Sequence, residues 1–233
     1  MSGSTLAIFD LDGTITRHDT MWPFVSGYLL RHPARWWRLA MCLLPLLKHL
    51  LSDRDRGALK GAVLRLTLGG VPRARLDLWA ERYARRLVPT GLYGEALESI
   101  ATLRKAQAHL VLLSASPDLY VPWIARALGF DEWICTEVRW RADDRLDGAL
   151  SSANRRGAEK TRCVRALLAK YQPALSQAYG NDRADLEHLG LVSAGLYVNG
   201  RPEDVIATPS IRVVRWSVRA TSNSVLPTIP ERT

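Results

Sequence analysis

The feature that most constrains this chain is a short apolar run, Leu6-Ala7-Ile8-Phe9, that ends in Asp10-Leu11-Asp12-Gly13-Thr14. A run with no polar alternation reads as a buried strand. In an open α/β sheet, ligands collect beyond the carboxyl ends of the strands. Asp10 and Asp12 then stand together at the mouth of that crevice, with Leu11 turned away between them. Two such carboxylates repel unless a cation sits between them or one holds a proton. Both conditions suit phosphoryl chemistry, in which one carboxylate attacks phosphorus and its neighbour moves a proton.

The rest of the chain supports an α/β fold: a Rossmann-like, mostly parallel sheet flanked by helices, with an α-helical cap inserted between the first and second core strands. Helical patterns run through residues 21–88 with few strand signals. Pro72 stands at a first helical position, and Leu76, Trp79, Ala80, Tyr83 and Leu87 share one helical face. Pro89-Thr90-Gly91 then punctuates the chain. The expected division is a cap over residues 15–88 and a core made of 1–14 and 89–220. Within that core a helix is expected near 93–107 and a strand over 109–113. Ser116 with Pro117 predicts the start of the next helix and Gly129 its stop. Further strands fall at 133–138, 176–179, 194–198 and 211–216, with a hairpin over 139–150 and a helix over 158–170. This alternation implies βαβ units. The Ser/Thr/Pro-rich residues 221–233 read as a disordered tail.

A chain of 233 residues with 47% hydrophobic and 24% charged residues has the make-up of a globular protein. Its formal charge of +9 attracts anions, so nucleic acid, anionic lipid and phosphorylated metabolites all come into view. No basic run interleaves with a stacking platform, and no dedicated nucleic-acid site is expected. Cys42, Cys135 and Cys163 lack metal-ligand spacing, and the N-terminus lacks the basic region of a signal sequence. The expectation is a reduced cytoplasmic protein.

Four stations follow one another along the chain: Asp10-Leu11-Asp12-Gly13-Thr14, then Ser114, then Lys160, then Gly180-Asn181-Asp182-Arg183-Ala184-Asp185. Singly each is weak, since Asp12-Gly13 reads as a turn and Lys160 as a solvated helix residue. In this order they resemble the haloacid dehalogenase superfamily, especially its phosphoserine-phosphatase-like subgroup, and the resemblance runs to about residue 216. It implies an Mg²⁺-dependent phosphomonoester hydrolase in which Asp10 forms an aspartyl-phosphate. Asp12 would protonate the leaving alkoxide and then take a proton from the attacking water. Thr14, Ser114 and Lys160 would bind the phosphoryl group, with Thr14 also ordering the first loop. The resemblance places Mg²⁺ on the Asp10 carboxylate, the Asp12 backbone carbonyl and a side-chain oxygen of the last station. There Asn181 replaces the usual first acid, Asp185 keeps the second, and Asp182 is an alternative ligand. A non-catalytic scaffold built on this fold rests on Asn181 alone.

Substrate choice falls to the cap. Arg31-His32-Pro33-Ala34-Arg35-Trp36-Trp37-Arg38 leads into an apolar stretch over residues 39–51 that is too short to span a bilayer comfortably. Trp and Arg flanking an apolar helix suit a membrane interface. This arrangement is similar to the C-type phosphatidylglycerophosphate phosphatases. It implies a lipid headgroup as substrate and peripheral contact with an anionic membrane, on the inner face of the cytoplasmic membrane. The same leucines also suit a cap's own core, and a soluble phosphate ester such as phosphoserine, histidinol phosphate or a sugar phosphate is the alternative. His18 and Asp19, where the first loop enters the cap, either touch substrate or cap a helix. Asp143, Asp144 and Asp147 read as a polar hairpin turn rather than a calcium loop.

Overall fold

The N-terminal apolar run forms strand β1 (Thr5–Phe9), and its side chains divide between two buried faces. Leu6 and Ile8 enter one apolar cluster, with Val111, Leu113 and Val164. Ala7 and Phe9 enter another, with Leu110, Leu112 and Ile124. Burial on both faces is why the run shows no polar alternation. The computed structural model describes residues 4–42, 56–206 and 208–217.

Among the described residues six strands make one parallel sheet: β1, β2 (His109–Pro117), β3 (Glu132–Thr136), β6 (Leu175–Gly180), β7 (Ala194–Val198) and β8 (Ile211–Val214). Their spatial order is β3-β2-β1-β6-β7-β8, and every neighbouring pair is parallel. The chain therefore winds outward in one direction from β1 and in the other from β6. A crevice opens between these two strands at their carboxyl ends, where such folds place their ligands. β4 (Val138–Trp140) and β5 (Leu146–Leu150) form the expected antiparallel hairpin, and its acids meet Arg73 and Arg139.

Between β1 and β2 lies the inserted helical segment: α1 (Met21–Leu30), a short 3-10 turn (Pro33–Arg35), α2 (Trp37–Met41), α3 (Arg56–Leu68) and α4 (Arg73–Thr90). α4 buries Leu76, Trp79, Ala80 and Tyr83, the face that its apolar spacing marks out. α5 (Gly94–Lys105) and α6 (Val121–Leu128) follow within the sheet layers. α7 (Ala158–Tyr171) follows β5, and the short α8 (Leu186–Leu189) follows β6. Phe24 of α1 packs against Tyr83 of α4 and against Tyr120, at ring-centroid distances of 5.3 and 4.6 Å. Aromatic packing thus joins the inserted segment to the loop that follows β2. Residues 43–51 of the apolar stretch and the tail 221–233 lie outside the described residues.

Several boundaries differ from the sequence expectation. Ser116 and Pro117 belong to β2, not to a helix: Pro117 pairs with Thr136 after a register shift, and helix α6 starts at Val121. The helix-starting proline is Pro122, in the first turn of α6, while Ser116 spends its hydroxyl on Asp12. Strand β3 stops at Thr136, because the Val138 N–H turns to the Asp118 carboxylate and Val138 joins the hairpin. α4 runs through Pro89 to Thr90 and is capped by Gly91, whose N–H bonds the Leu87 carbonyl at 2.7 Å.

Asp118 thus anchors the hairpin, with its Oδ1 accepting from the Val138 N–H at 3.0 Å. Burial pushes its carboxyl up to about 6. The folded chain holds this proton where the unfolded chain has released it, so stability falls as pH rises from about 4 to about 6. Asp118→Asn keeps the acceptor and has no charge to bury. Urea titrations should show its advantage over wild type growing by about 1–3 kcal/mol across that window and then levelling. A difference that ignores pH contradicts this account.

Candidate active site

Asp10 follows β1 and Asn181 follows β6, so the two flank the crevice at the point where the winding direction changes. Lys160, in the first turn of α7, reaches in beneath them. Its Nζ donates to Asp10 Oδ1 at 2.7 Å and to Asp185 Oδ1 at 2.9 Å, and the residue is 4% exposed. Burial alone would lower the ammonium, but Asp10 and Asp185 hold it above its ordinary range. The far oxygen of Asp185 accepts from the N–H groups of Asn181 and Asp182, at 3.1 and 3.0 Å. A Cβ on Gly180 would lie 2.8 Å from the Asp185 side chain, so this approach requires glycine. Burial pushes the Asp10 carboxyl upward, and Lys160 opposes that shift.

Thr14 ties the first loop to the last station. Its hydroxyl lies 3.2 Å from Asp10 Oδ2 and 3.3 Å from Asn181 Oδ1. Gly13 lets the loop turn there: its φ is +76°, and a Cβ would collide with Asn181 Nδ2 at 2.1 Å.

Asp12 lies in a ring of hydroxyls. Oδ1 accepts from the Thr20 N–H at 2.7 Å and the Thr20 hydroxyl at 2.6 Å, while Oδ2 accepts from Ser116 at 2.5 Å. Burial raises the Asp12 carboxyl, and the Ser116 and Thr20 bonds partly offset the rise. Asp10, Asp12 and Lys160 all line a cleft of about 660 Å³, along with Ser116 and Asn181. The helical segment supplies its other wall through Asp19, Trp22, Arg56 and Lys60. Lys60 donates to the Ala115 carbonyl and, at 2.8 Å, to Asn154 Oδ1. Burial lowers its ammonium to about 8, against the pull of Asp12 and Asp19.

The structure gathers Asp10, Thr14, Lys160, Asn181 and Asp185 into one bonded cluster, with Asp12 two residues on. Ser114 is fully buried within β2 and does not line the cleft; its Oγ accepts from the Ser116 N–H at 3.0 Å, while Ala115 and Ser116 line the cleft. Asp182 directs one oxygen to the Ala184 N–H and the other to Arg156, at 2.9 and 2.5 Å. Despite burial, those bonds hold its carboxyl below the ordinary range. Asp19 caps α1, accepting from the N–H groups of Met21 and Trp22, and with His18 it also lines the cleft. Sequence reasoning missed Ser116, Thr20, Tyr120 and Lys60. The Ser-Ala-Ser run after an apolar strand was the signal for Ser116; a lone helical lysine offered none for Lys60.

Asp10 Oδ2 and Asn181 Oδ1 lie 3.2 and 3.3 Å from the same buried Thr14 hydroxyl, and Asp10 and Asn181 both line the cleft, so hard oxygen donors stand side by side there. Among the described residues, no three His, Cys, Asp or Glu side chains group as a metal cluster. A site of few hard oxygens fits Mg²⁺, which keeps several of its waters. It does not resemble the His and Cys cage of a zinc site.

Sheet order, inserted helices and a carboxylate pair at the switch point together define a Rossmann-like fold with an aspartate site at the end of its first strand. Over residues 7–189 the chain matches the haloacid dehalogenase-like hydrolases, and it belongs to that family. It is 34% identical over 199 residues to Protein CicA of Caulobacter vibrioides (strain NA1000 / CB15N), covering 84% of this chain and 88% of that protein. A protein of unknown function from Bordetella pertussis Tohama I has a similar structure: TM-score 0.75, 22% identity, 91% of this chain and 98% of that one covered. A phosphoserine phosphatase solved as its phospho-aspartyl intermediate analogue is similar in fold, with TM-score 0.62 and 15% identity over 90% of this chain and 92% of that one.

Lys160 makes a stability test. Lys160→Met leaves Asp10 and Asp185 buried without their counterion and should cost about 3–5 kcal/mol in a denaturant titration. Adding Asp185→Asn should recover part of that loss. A Lys160→Met protein as stable as wild type contradicts the paired arrangement.

Proposed function

We propose that this protein is an Mg²⁺-dependent phosphomonoester hydrolase that works through an aspartyl-phosphate on Asp10. The observation that carries the reading is the Lys160 ammonium held between Asp10 and Asp185 at the sheet's switch point, with Asp12 beside them in the same cleft. Asp10 attacks phosphorus, forming a P–O bond as the ester P–O bond breaks, and Asp12 gives its proton to the departing alkoxide. Water then attacks the acyl-phosphate and yields a proton to Asp12, which releases inorganic phosphate and restores Asp10. Lys160 offsets charge on the phosphoryl group and on Asp10 through both steps. Thr14 orders the first loop through Asp10 and Asn181, and Ser114 fixes the backbone that turns at Ala115 into the cleft. Asp10, the Asp12 backbone carbonyl and Asn181 would hold Mg²⁺. When bound, the ion supplies positive charge to the transferring phosphoryl oxygens. Asp185 serves Lys160, and Asp182 serves Arg156.

The substrate reading best supported is a soluble phosphate ester. Its cleft wall carries Arg56, Lys60 and Asp19, a mixed-charge lining suited to a polar, zwitterionic or anionic group beyond the phosphate. The phosphoserine phosphatase of similar fold points the same way. A lipid headgroup phosphate, such as phosphatidylglycerophosphate, is the second reading. It is favoured by Trp36 and Trp37, which are 50% and 61% exposed beside Arg35 and Arg38. Among the described residues no helix is long and apolar enough to cross a membrane, so that reading calls for peripheral contact with an anionic surface.

Phosphate release separates these readings. Phosphoserine, histidinol phosphate, sugar phosphates and phosphatidylglycerophosphate in mixed micelles would be assayed with and without Mg²⁺. The expected result is Mg²⁺-dependent turnover of a soluble ester, reduced by at least about 10⁴-fold in Asp10→Asn. Selectivity for the micellar lipid would establish the second reading. Turnover that survives Asp10→Asn would defeat both.

A further inference from the structure

We infer that Ser116 and Tyr120 are positioning residues for Asp12: with Thr20 they form a buried hydroxyl ring that fixes the proton-transferring carboxyl at the cleft. This inference rests on the phosphatase reading above and assigns parts to residues which that reading does not use.

A carboxyl on a loop rotates freely unless both of its oxygens are held. Here Thr20 holds Oδ1 through its N–H and hydroxyl, and Ser116 holds Oδ2. The two clamps come from different parts of the chain, since Thr20 immediately precedes α1 and Ser116 lies near the end of β2. Tyr120 closes the ring. Its hydroxyl donates to Ser116 Oγ at 3.0 Å and lies 3.0 Å from the Thr20 hydroxyl. Ser116 has one proton and gives it to Asp12, so the Tyr120 proton occupies a Ser116 lone pair. The bonds then run in one direction, Tyr120 to Ser116 to Asp12, and each polarises the next.

Thr20, Ser116 and Tyr120 are 1%, 4% and 0% exposed, so water does not compete for these bonds. From α4, Tyr83 donates to the Thr20 carbonyl at 2.9 Å, which makes the clamp depend on the seating of the inserted helices. A network serving stability alone has no reason to converge on a carboxyl that lines the cleft, as Asp12 does.

The leaving group supplies the test. An alkoxide needs a proton as it departs, whereas p-nitrophenolate leaves without one, so losing the clamp should discriminate between the two esters. In Ser116→Ala, kcat/KM, which reports the steps through phosphoryl transfer and not the shared hydrolysis of the aspartyl-phosphate, should fall by roughly 10- to 100-fold for an alkyl phosphate and by less than about threefold for p-nitrophenyl phosphate. Ser116→Thr restores the hydroxyl and should recover most of the alkyl rate. Tyr120→Phe keeps the ring in the core and should show the same discrimination at smaller amplitude, which covers the case in which Ser116→Ala folds poorly. Equal losses on both esters, or none, would overturn the positioning role while leaving the phosphatase reading intact. Wild-type protein that hydrolyses neither ester would overturn the phosphatase reading itself, and this inference with it.

Discussion

A single buried ammonium organises this molecule. Lys160 joins the first turn of α7 to the end of β1 through Asp10 and to the loop after β6 through Asp185. Those two strands are where the sheet changes its direction of winding, so the ion cluster pins the crevice at its centre. Buried charges are costly unless paired and hydrogen-bonded, and here each group meets that condition. Asp185 spends one oxygen on Lys160 and the other on two backbone N–H groups, which leaves Asp10 facing the cleft.

Around this cluster the two first-loop carboxylates sit in different environments. Asp10 pairs with a cation, whereas Asp12 is surrounded by hydroxyls and an N–H. Under the proposed function, these unlike surroundings let two identical side chains two residues apart take unlike roles. The hydroxyl environment is built from both the sheet and the inserted helices, so the geometry of Asp12 carries information about where those helices sit. Lys60 adds a second tie, from α3 to the end of β2 and to Asn154.

The parallel sheet and the inserted helices were legible in the sequence because periodicity and strand-end residues agreed. Asp10, Asp12, Lys160 and Asp185 could be read together because they occur in a fixed order at strand and helix ends, although Lys160 alone looks like any helical lysine. Ser116 was misread, since Ser-Pro starts a helix in one context and ends a strand in another. What decided between them was a contact with Asp12, 104 residues away. Tyr120 and Thr20 were illegible for the same reason: their roles exist only once the α1 approach meets the loop after β2. Asn181 was legible as a departure from an acid, and the convergence of its oxygen with Asp10 on Thr14 gives that departure a place.

The proposed function requires that Asp10 become covalently phosphorylated during turnover. The most direct measurement mixes enzyme, Mg²⁺ and a hydrolysed ester, quenches in acid within a fraction of the turnover time, and maps the phosphorylated peptide by mass spectrometry. The expected result is a hydroxylamine-sensitive phosphoryl group on the peptide containing Asp10. Turnover with that peptide unmodified, or with the phosphoryl group on Ser114 or Ser116, would contradict it.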